Sequence, residues 1–314
     1  MSFAPPKETW SGKTFEITIG NGAKAVKIGG ENVFSFHGFE GNYPNKPVIA
    51  YEVQDIPPDD WPQMAKDVYA GVSADPVTWA KHCVEKLGAK AVALRLAGTH
   101  PDKGDISADQ AAETVKKVAS AVDVPLIILG SNHAEKDSVV LVKAAEAAKG
   151  TNALLGKAQE ANYKTIVAAA LANDLKLIAM SELDINLSKQ LNILITQMGF
   201  DKERLVTDPM SSALSYGLEY TYSVMERIKL AALAQNDAVL QGPMLADVGM
   251  YVWKVKETQA LEADLPQWGN LKDRGVAWEA VTATSLLVAG TNLAIMRHPD
   301  AVAAVEKFIA EMEG

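Results

Sequence analysis

Cysteine is nearly absent from this chain, with Cys83 the only one in 314 residues. A lone thiol makes no intrachain disulfide and falls short of the roughly four thiolates an iron–sulfur cluster needs. Excess basic charge is missing too. The formal charge is −9, which leaves no cationic face for phosphates and argues against nucleic acid or an anionic membrane as a partner. There is no long hydrophobic run. The most apolar stretch, TATSLLVAGTNLAIM, is broken by Gly290 and Asn292 and is too short to span a bilayer. The opening MSFAPPKETWSG lacks the apolar centre of a secretory signal, so a cytoplasmic protein is expected.

Several catalytic signatures are also missing. No GxGxxG or GxxxxGK[ST] turn occurs to cradle a phosphate, no HExxH to bind zinc, and no GxSxG to present a nucleophilic serine. Cys83 lies four residues from both Trp79 and Leu87 in a helical pattern, which reads as a buried structural thiol.

What is present is a repeat of short apolar runs and helical segments, in a chain that is 48% hydrophobic. FEITIG and KAVKIGG flank Asn21-Gly22, a hairpin signal, and the Gly/Pro-rich FHGFEGNYPNKP follows as an arm. Residues 1–46 therefore read as a hairpin extension and 47–314 as the main domain. In that domain the expected strands are 48–53, 91–97, 125–130, 153–158, 176–181, 204–208, 239–244 and 292–297. Helix starts are marked by Asp75-Pro76, by the Ser107/Gln110 capping box and by Pro299. Eight strand–helix units over about 250 residues predict an α/β fold of the (β/α)8 TIM-barrel type. Two long loops, after the first and seventh strands, carry aromatic residues. Both a contact surface and local packing on the barrel are open readings.

Alternation along strands selects the inward-facing residues. Val48, Ala50, Glu52 and Gln54 share one face of the first strand, and Ala91, Ala93, Arg95 and Ala97 one face of the second. In the fourth, Ala153, Leu155, Lys157 and Gln159 fall together. Glu52, Arg95 and Lys157 are thereby expected to meet as a polar cluster, paired because an isolated buried charge is too costly. Lys157 is also the one lysine suited to Schiff-base chemistry. Beyond the strand ends lie Thr99, His100, Ser131, Asn132, Ser181, Asp208, Met210, Ser211, Gly242 and Met244. These small, weakly polar and thioether groups suit the rim of a large ligand held by many modest contacts, rather than a set of catalytic acids and bases. His100, His133 and His298, with Glu182 and Asp208, raise a metal centre. The first strand lacks the HxH pair of metal-dependent barrel hydrolases, so hydrogen-bonding histidines are the ordinary reading.

The string TDPMSSALSYGLEYTYSVMERIKLAAL (207–233), with QGPM (241–244), WKVKE (253–257) and the Lys/Gly-rich hairpin, resembles a known family. It is similar to the small TIM-barrel subunit of the corrinoid iron–sulfur protein of the acetyl-CoA synthase (Wood–Ljungdahl) pathway, the CO dehydrogenase/acetyl-CoA synthase delta subunit family. The resemblance implies a heterodimer with a larger subunit that carries a [4Fe–4S] cluster and a cobalamin-binding domain. It implies that the rim residues above cover one side of the corrinoid, with no catalytic residue and no metal ligand on this chain. Further implied partners are a methyltetrahydrofolate methyltransferase, which delivers the methyl group, and acetyl-CoA synthase, which receives it. A pterin-binding methyltransferase-type barrel acting alone, with Asp208 and Asn132 as pterin contacts, is the alternative, and a metal-dependent barrel hydrolase is a third.

Overall fold

The computed structural model describes residues 6–313. An antiparallel hairpin of β1 (Glu16–Ile19) and β2 (Val26–Gly29) precedes a closed barrel. The barrel strands are β3 (Val48–Gln54), β4 (Ala91–Arg95), β5 (Leu126–Leu129), β6 (Leu154–Ala158), β7 (Lys176–Met180), β8 (Leu205–Asp208), β9 (Met244–Ala246) and β10 (Thr291–Met296). All eight pair in parallel, with β10 closing on β3. The TIM barrel and its hairpin extension are therefore as expected.

The helices are α1 (Gln63–Asp67), α2 (Pro76–Glu85), α3 (Ala108–Ala121), α4 (Ala134–Ala147), α5 (Tyr163–Ala172), α6 (Ile185–Gln197) and α7 (Leu218–Ala234). After β9 come α8 (Val248–Val252), α9 (Lys256–Gln259) and α10 (Leu271–Val288), and α11 (Pro299–Glu313) ends the chain. The start signals act as the sequence predicts. The Asp75 carboxylate accepts the Thr78 amide at 2.8 Å, and Ser107 and Gln110 form a reciprocal capping box.

Side chains inside the barrel form their own apolar cluster: Val48 and Ala50, Ala91 and Ala93, Ile127 and Leu129, Leu154, Ile178, Val206, Leu245, Leu293 and Ile295. Ile17, Ile19 and Ile28 of the hairpin join it, each at most 1% exposed. The hairpin thus plugs the N-terminal end of the barrel. The Gly20 amide donates to the Asn152 carbonyl just before β6, and the Phe15 amide to the Gln241 carbonyl before β9. Gly29 has φ +78, and a Cβ there would run into the Phe15 carbonyl and Pro243, so glycine is required at this contact. Behind it Lys229 of α7 forms a buried ion pair with Glu31, whose carboxylate also accepts from Asn292 at 3.0 Å.

Two expectations about strands are corrected. The seventh barrel strand runs 244–246, not 239–244. Pro243 has no N–H for a ladder, and residues 239–243 lie at the N-terminal end beside the hairpin. Gly242 and Met244, expected at the C-terminal rim, are consequently at the opposite end, where Met244 pairs with Thr207 and Thr291. In β6, strict alternation does not hold. Leu154 points inward and Leu155 outward, and the ladder to β7 shifts register between Leu155 and Ala158, which still brings Lys157 inward.

Both long loops fold back on the barrel. Trp61 and Trp79 pack edge to face at 5.5 Å with Tyr69 beside them, and Trp253 is fully buried. Of the two open readings, local packing is the one these rings adopt. Cys83 is fully buried, and burial pushes its thiol up to about 12, away from nucleophilic use.

Candidate functional site

The C-terminal mouth of the barrel holds a network of six charged side chains. Arg95 donates to Glu52 at 3.1 Å and to both oxygens of Asp247 at 2.8 and 2.9 Å. Lys157 reaches Asp247 at 2.7 Å and Asp208 at 2.9 Å. Arg297 donates to Glu52 at 3.0 and 3.2 Å, and its guanidinium stacks 4.3 Å from the Trp61 ring centre. The expected trio of Glu52, Arg95 and Lys157 is brought together, with Asp247 linking Lys157 to Arg95. Three carboxylates face three cations, and none of the six is more than 3% exposed.

This balance governs the proton affinities. Burial alone would raise Glu52, but the Arg297 and Arg95 guanidiniums outweigh it and hold the carboxyl at about 2. Asp247 is likewise pulled down, with Arg95 and Lys157 overcoming burial. At Asp208 burial wins and the carboxyl is raised, with the Asp247 charge adding to the rise, although Lys157 and the Met210 amide favour the charged form. Lys157 itself is held above its ordinary value by Asp208 and Asp247 against the effect of burial, which rules against a neutral, nucleophilic amine.

Asp208, Asp247 and Arg297 complete the cluster and were not assembled from sequence. The period-two signal is nevertheless there: Val206 and Leu293/Ile295 point inward, so Asp208 and Arg297 follow in phase. Asp247 continues from inward-facing Leu245, but the displaced β9 assignment concealed it.

Around this core the expected rim residues separate into two groups. Thr99, Ser181, Asp208 and Ser211 are buried, whereas His100, Ser131 and Met210 are partly accessible and Asn132 is exposed. Thr99 Oγ1 donates to the Leu96 carbonyl, and Ser181 and Ser188 share a hydroxyl hydrogen bond. Asp137 of α4 accepts from the amides of Ser131 and Asn132 at 2.8 and 3.0 Å, fixing the β5 loop, and at Gly130 any Cβ would strike that carboxylate. Asn132 and Met210 both sit in left-handed backbone, φ +68 and +65, at the turns after β5 and β8. His100 and His133 meet edge to face at 5.4 Å. Each uses Nδ1 to accept a backbone amide, from Asp102 and Lys136, as His298 does from Asp300. The histidines after strands are turn and cap acceptors. Among the described residues no group of three or more His, Cys, Asp or Glu could hold a metal ion.

Beside this rim a cleft of about 570 Å3 opens between the ends of β6 and β7 and helix α6, with Ser181 in its floor.

The sequence profile of the CO dehydrogenase/acetyl-CoA synthase delta subunit matches residues 16–303. The chain belongs to this family. The subunit delta of the acetyl-CoA decarbonylase/synthase complex of Methanothermobacter thermautotrophicus is 36% identical over 302 residues, covering 96% of this chain and 76% of that one. The subunit delta 1 of Methanosarcina thermophila is 37% identical over 317 residues, covering 97% and 72%. Both relatives are named as subunits of a larger complex. Among solved structures, the 7,8-dihydropteroate synthase of Vibrio fischeri superposes with TM-score 0.59 at 13% identity, over 87% of this chain and 95% of that one. The dihydropteroate synthase of Xanthomonas albilineans gives 0.58 at 14%, over 86% and 94%. At such identity the likeness concerns the barrel fold alone. No helix among the described residues is long and apolar enough to cross a membrane.

Proposed function

We propose that this chain is the small, barrel subunit of a corrinoid iron–sulfur methyl carrier, and that its C-terminal face forms one wall of the corrinoid site. The observation that carries this reading is the closed ionic network at the barrel mouth. A barrel enzyme acting alone keeps an open polar pocket there, with groups free to bond a substrate. Here the six charged groups pair with one another and are sealed from solvent, with Arg95 Nη1 and Asp208 Oδ2 left without a hydrogen bond. What remains accessible is a rigid surface bearing His100, Ser131, Asn132 and Met210.

That surface fits a large planar ligand with amide arms. The Asn132 amide and Ser131 hydroxyl can bond carboxamides, His100 with Nδ1 already accepting offers its Nε2 edge, and Met210 supplies a polarizable apolar contact. A bound corrinoid supplies the cobalt on which the methyl group travels. The chain's own part is to exclude water and hold the ring, with no covalent step of its own. The iron–sulfur cluster is assigned to the larger subunit, since this chain has one buried cysteine. A methyltetrahydrofolate methyltransferase as donor and acetyl-CoA synthase as acceptor complete the assignment.

The pterin-binding alternative draws on the dihydropteroate synthase fold neighbours. It needs Asp208 free to hydrogen-bond a pterin, yet Asp208 is fully buried and engaged by Lys157. Purification with native partners is the test. A corrinoid spectrum that appears only when the larger subunit is present supports the carrier reading. Pterin binding by the isolated chain, with no corrinoid in the complex, would replace it with the alternative.

A further inference from the structure

The cleft beside α6 reaches down to the core. Met180, Ser181 and Leu191, each at most 7% exposed, form its floor, and Leu187, 45% exposed, stands at its open side with half-buried Leu194. Its volume of about 570 Å3 and mostly apolar lining are those of a small-molecule site, which commonly encloses about 300–1,000 Å3. Ala158 of β6 pairs with Ala179 of β7, so Glu160 and Glu182 follow neighbouring strand ends, and both line the cleft. Among the described residues neither carboxylate has an ion-pair or hydrogen-bond partner, and the side-chain amides of Gln159 and Gln190 have none either. Other carboxylates on this face are already neutralised. Asp59 and Asp60 hold Lys103, and Asp105 holds Lys136.

The lining discriminates among ligand classes. An anion would meet two carboxylates and no lysine, arginine or histidine. The start of α6 does not offset them, since the Asn186 and Leu187 amides already donate to Asp184. A neutral apolar molecule would leave both charges and both amides unanswered. A quaternary ammonium ion is recognised by aromatic faces, and the lining has none. A primary ammonium group meets every requirement, with three N–H donors for Glu160, Glu182 and a glutamine carbonyl oxygen. We propose that the cleft binds a small aliphatic primary amine, its ammonium between Glu160 and Glu182 and its hydrocarbon body on Met180 and the three leucines. This site is separate from the function proposed above and does not depend on it. The depth of the cleft favours a free molecule, because a single lysine side chain reaching in from a partner would leave most of the volume empty.

The test follows the Met180 methyl group by NMR in the full chain during titration with n-hexylamine, n-hexanol and n-hexanoate. The amine should bind about tenfold or more tightly than the alcohol, the worth of a hydrogen bond to a charged group, and hexanoate should leave the signal unmoved. Lengthening the probe from n-butylamine to n-hexylamine should tighten binding about three- to fourfold per methylene, as burial on the leucines requires. Glu160→Gln/Glu182→Gln, at two exposed positions, should weaken n-hexylamine by about tenfold or more, with n-hexanol binding and the thermal midpoint unchanged. Hexanoate binding as well as hexylamine, a double variant that binds hexylamine like wild type, or a Met180 signal that no probe moves would each overturn the assignment. A response in the free chain that is lost in the complex purified from the native host would give the cleft to a partner's side chain and overturn the free amine as its ligand.

Discussion

Single residues at the barrel mouth show how charge is tolerated in a sealed interior. Arg95 bridges Glu52 and Asp247, so removing it leaves two buried carboxylates short of a partner. Arg95→Ala is expected to destabilise the fold by about 3–5 kcal/mol in denaturant titration, the cost of breaking a buried pair from one side. An unchanged midpoint would contradict the network. Glu279 of α10 poses a different problem. Its oxygens accept the Arg297 and His298 amides at 2.7 and 3.0 Å, but burial prevails and raises its carboxyl to about 7. The folded state therefore holds this proton over a range where the unfolded chain has lost it. The stability Glu279 contributes is full below pH 4.5 and declines as pH rises towards 7. Glu279→Gln removes that titration. The stability of wild type minus variant should fall between those limits by at most about 1.4 kcal/mol per pH unit, and a flat difference would show that Glu279 titrates normally.

At the scale of elements, the hairpin works as a plug fastened by charge. Ile17, Ile19 and Ile28 fill the barrel floor, and Glu31 follows to pair with Lys229 of α7 under the same end. Glu31→Gln and Lys229→Met should each destabilise the protein, because each strands a buried partner. Together they should cost less than the sum of the two, with a coupling of about 0.5–3 kcal/mol in a double-mutant cycle. Simple additivity would mean that the pair does not form. The short β9 belongs to this scale as well. Its first residue is fastened by the Asn292 side chain, which accepts the Met244 amide at 3.0 Å, a bond no local strand pattern could foretell.

For the molecule as a whole, the two barrel ends have different duties, one plugged and one presenting the rim. Ser211 is fully buried, so a charge there would test folding rather than function, whereas Met210 is partly accessible. Met210→Glu should lower corrinoid-dependent methyl acceptance by the complex about tenfold or more, equivalent to roughly 1.4 kcal/mol, with the barrel still folded. Lys149→Glu, exposed at the plugged end, should leave it unchanged. The reverse outcome would place the functional face at the wrong end. Iron analysis gives an independent check: the chain purified alone should carry no stoichiometric iron, and a brown, iron-bearing preparation would refute the assignment of the cluster to the partner.

Much of this protein was legible in its residues. Buried parallel strands announce themselves as short apolar runs, and Asp75, Ser107 and Gln110 cap their helices through contacts only three residues away. The inward turn of Glu52 and Arg95 follows from two-residue periodicity in regular strands. The family string at 207–233 carried the relationship that the profile match then established. Other features depend on partners distant in the chain. Lys157 faces inward through a register shift set against β7, and Asp247 meets Arg95 only once the barrel closes. Gly242 and Met244 lie at the plugged end because the hairpin arm holds the segment before them. The cleft beside α6 opens where that helix meets the ends of β6 and β7, elements far apart in the chain. Local propensity and periodicity act over a few residues, whereas barrel closure, charge pairing and uncovered surface are properties of elements brought together in space, and only the tertiary structure decides them.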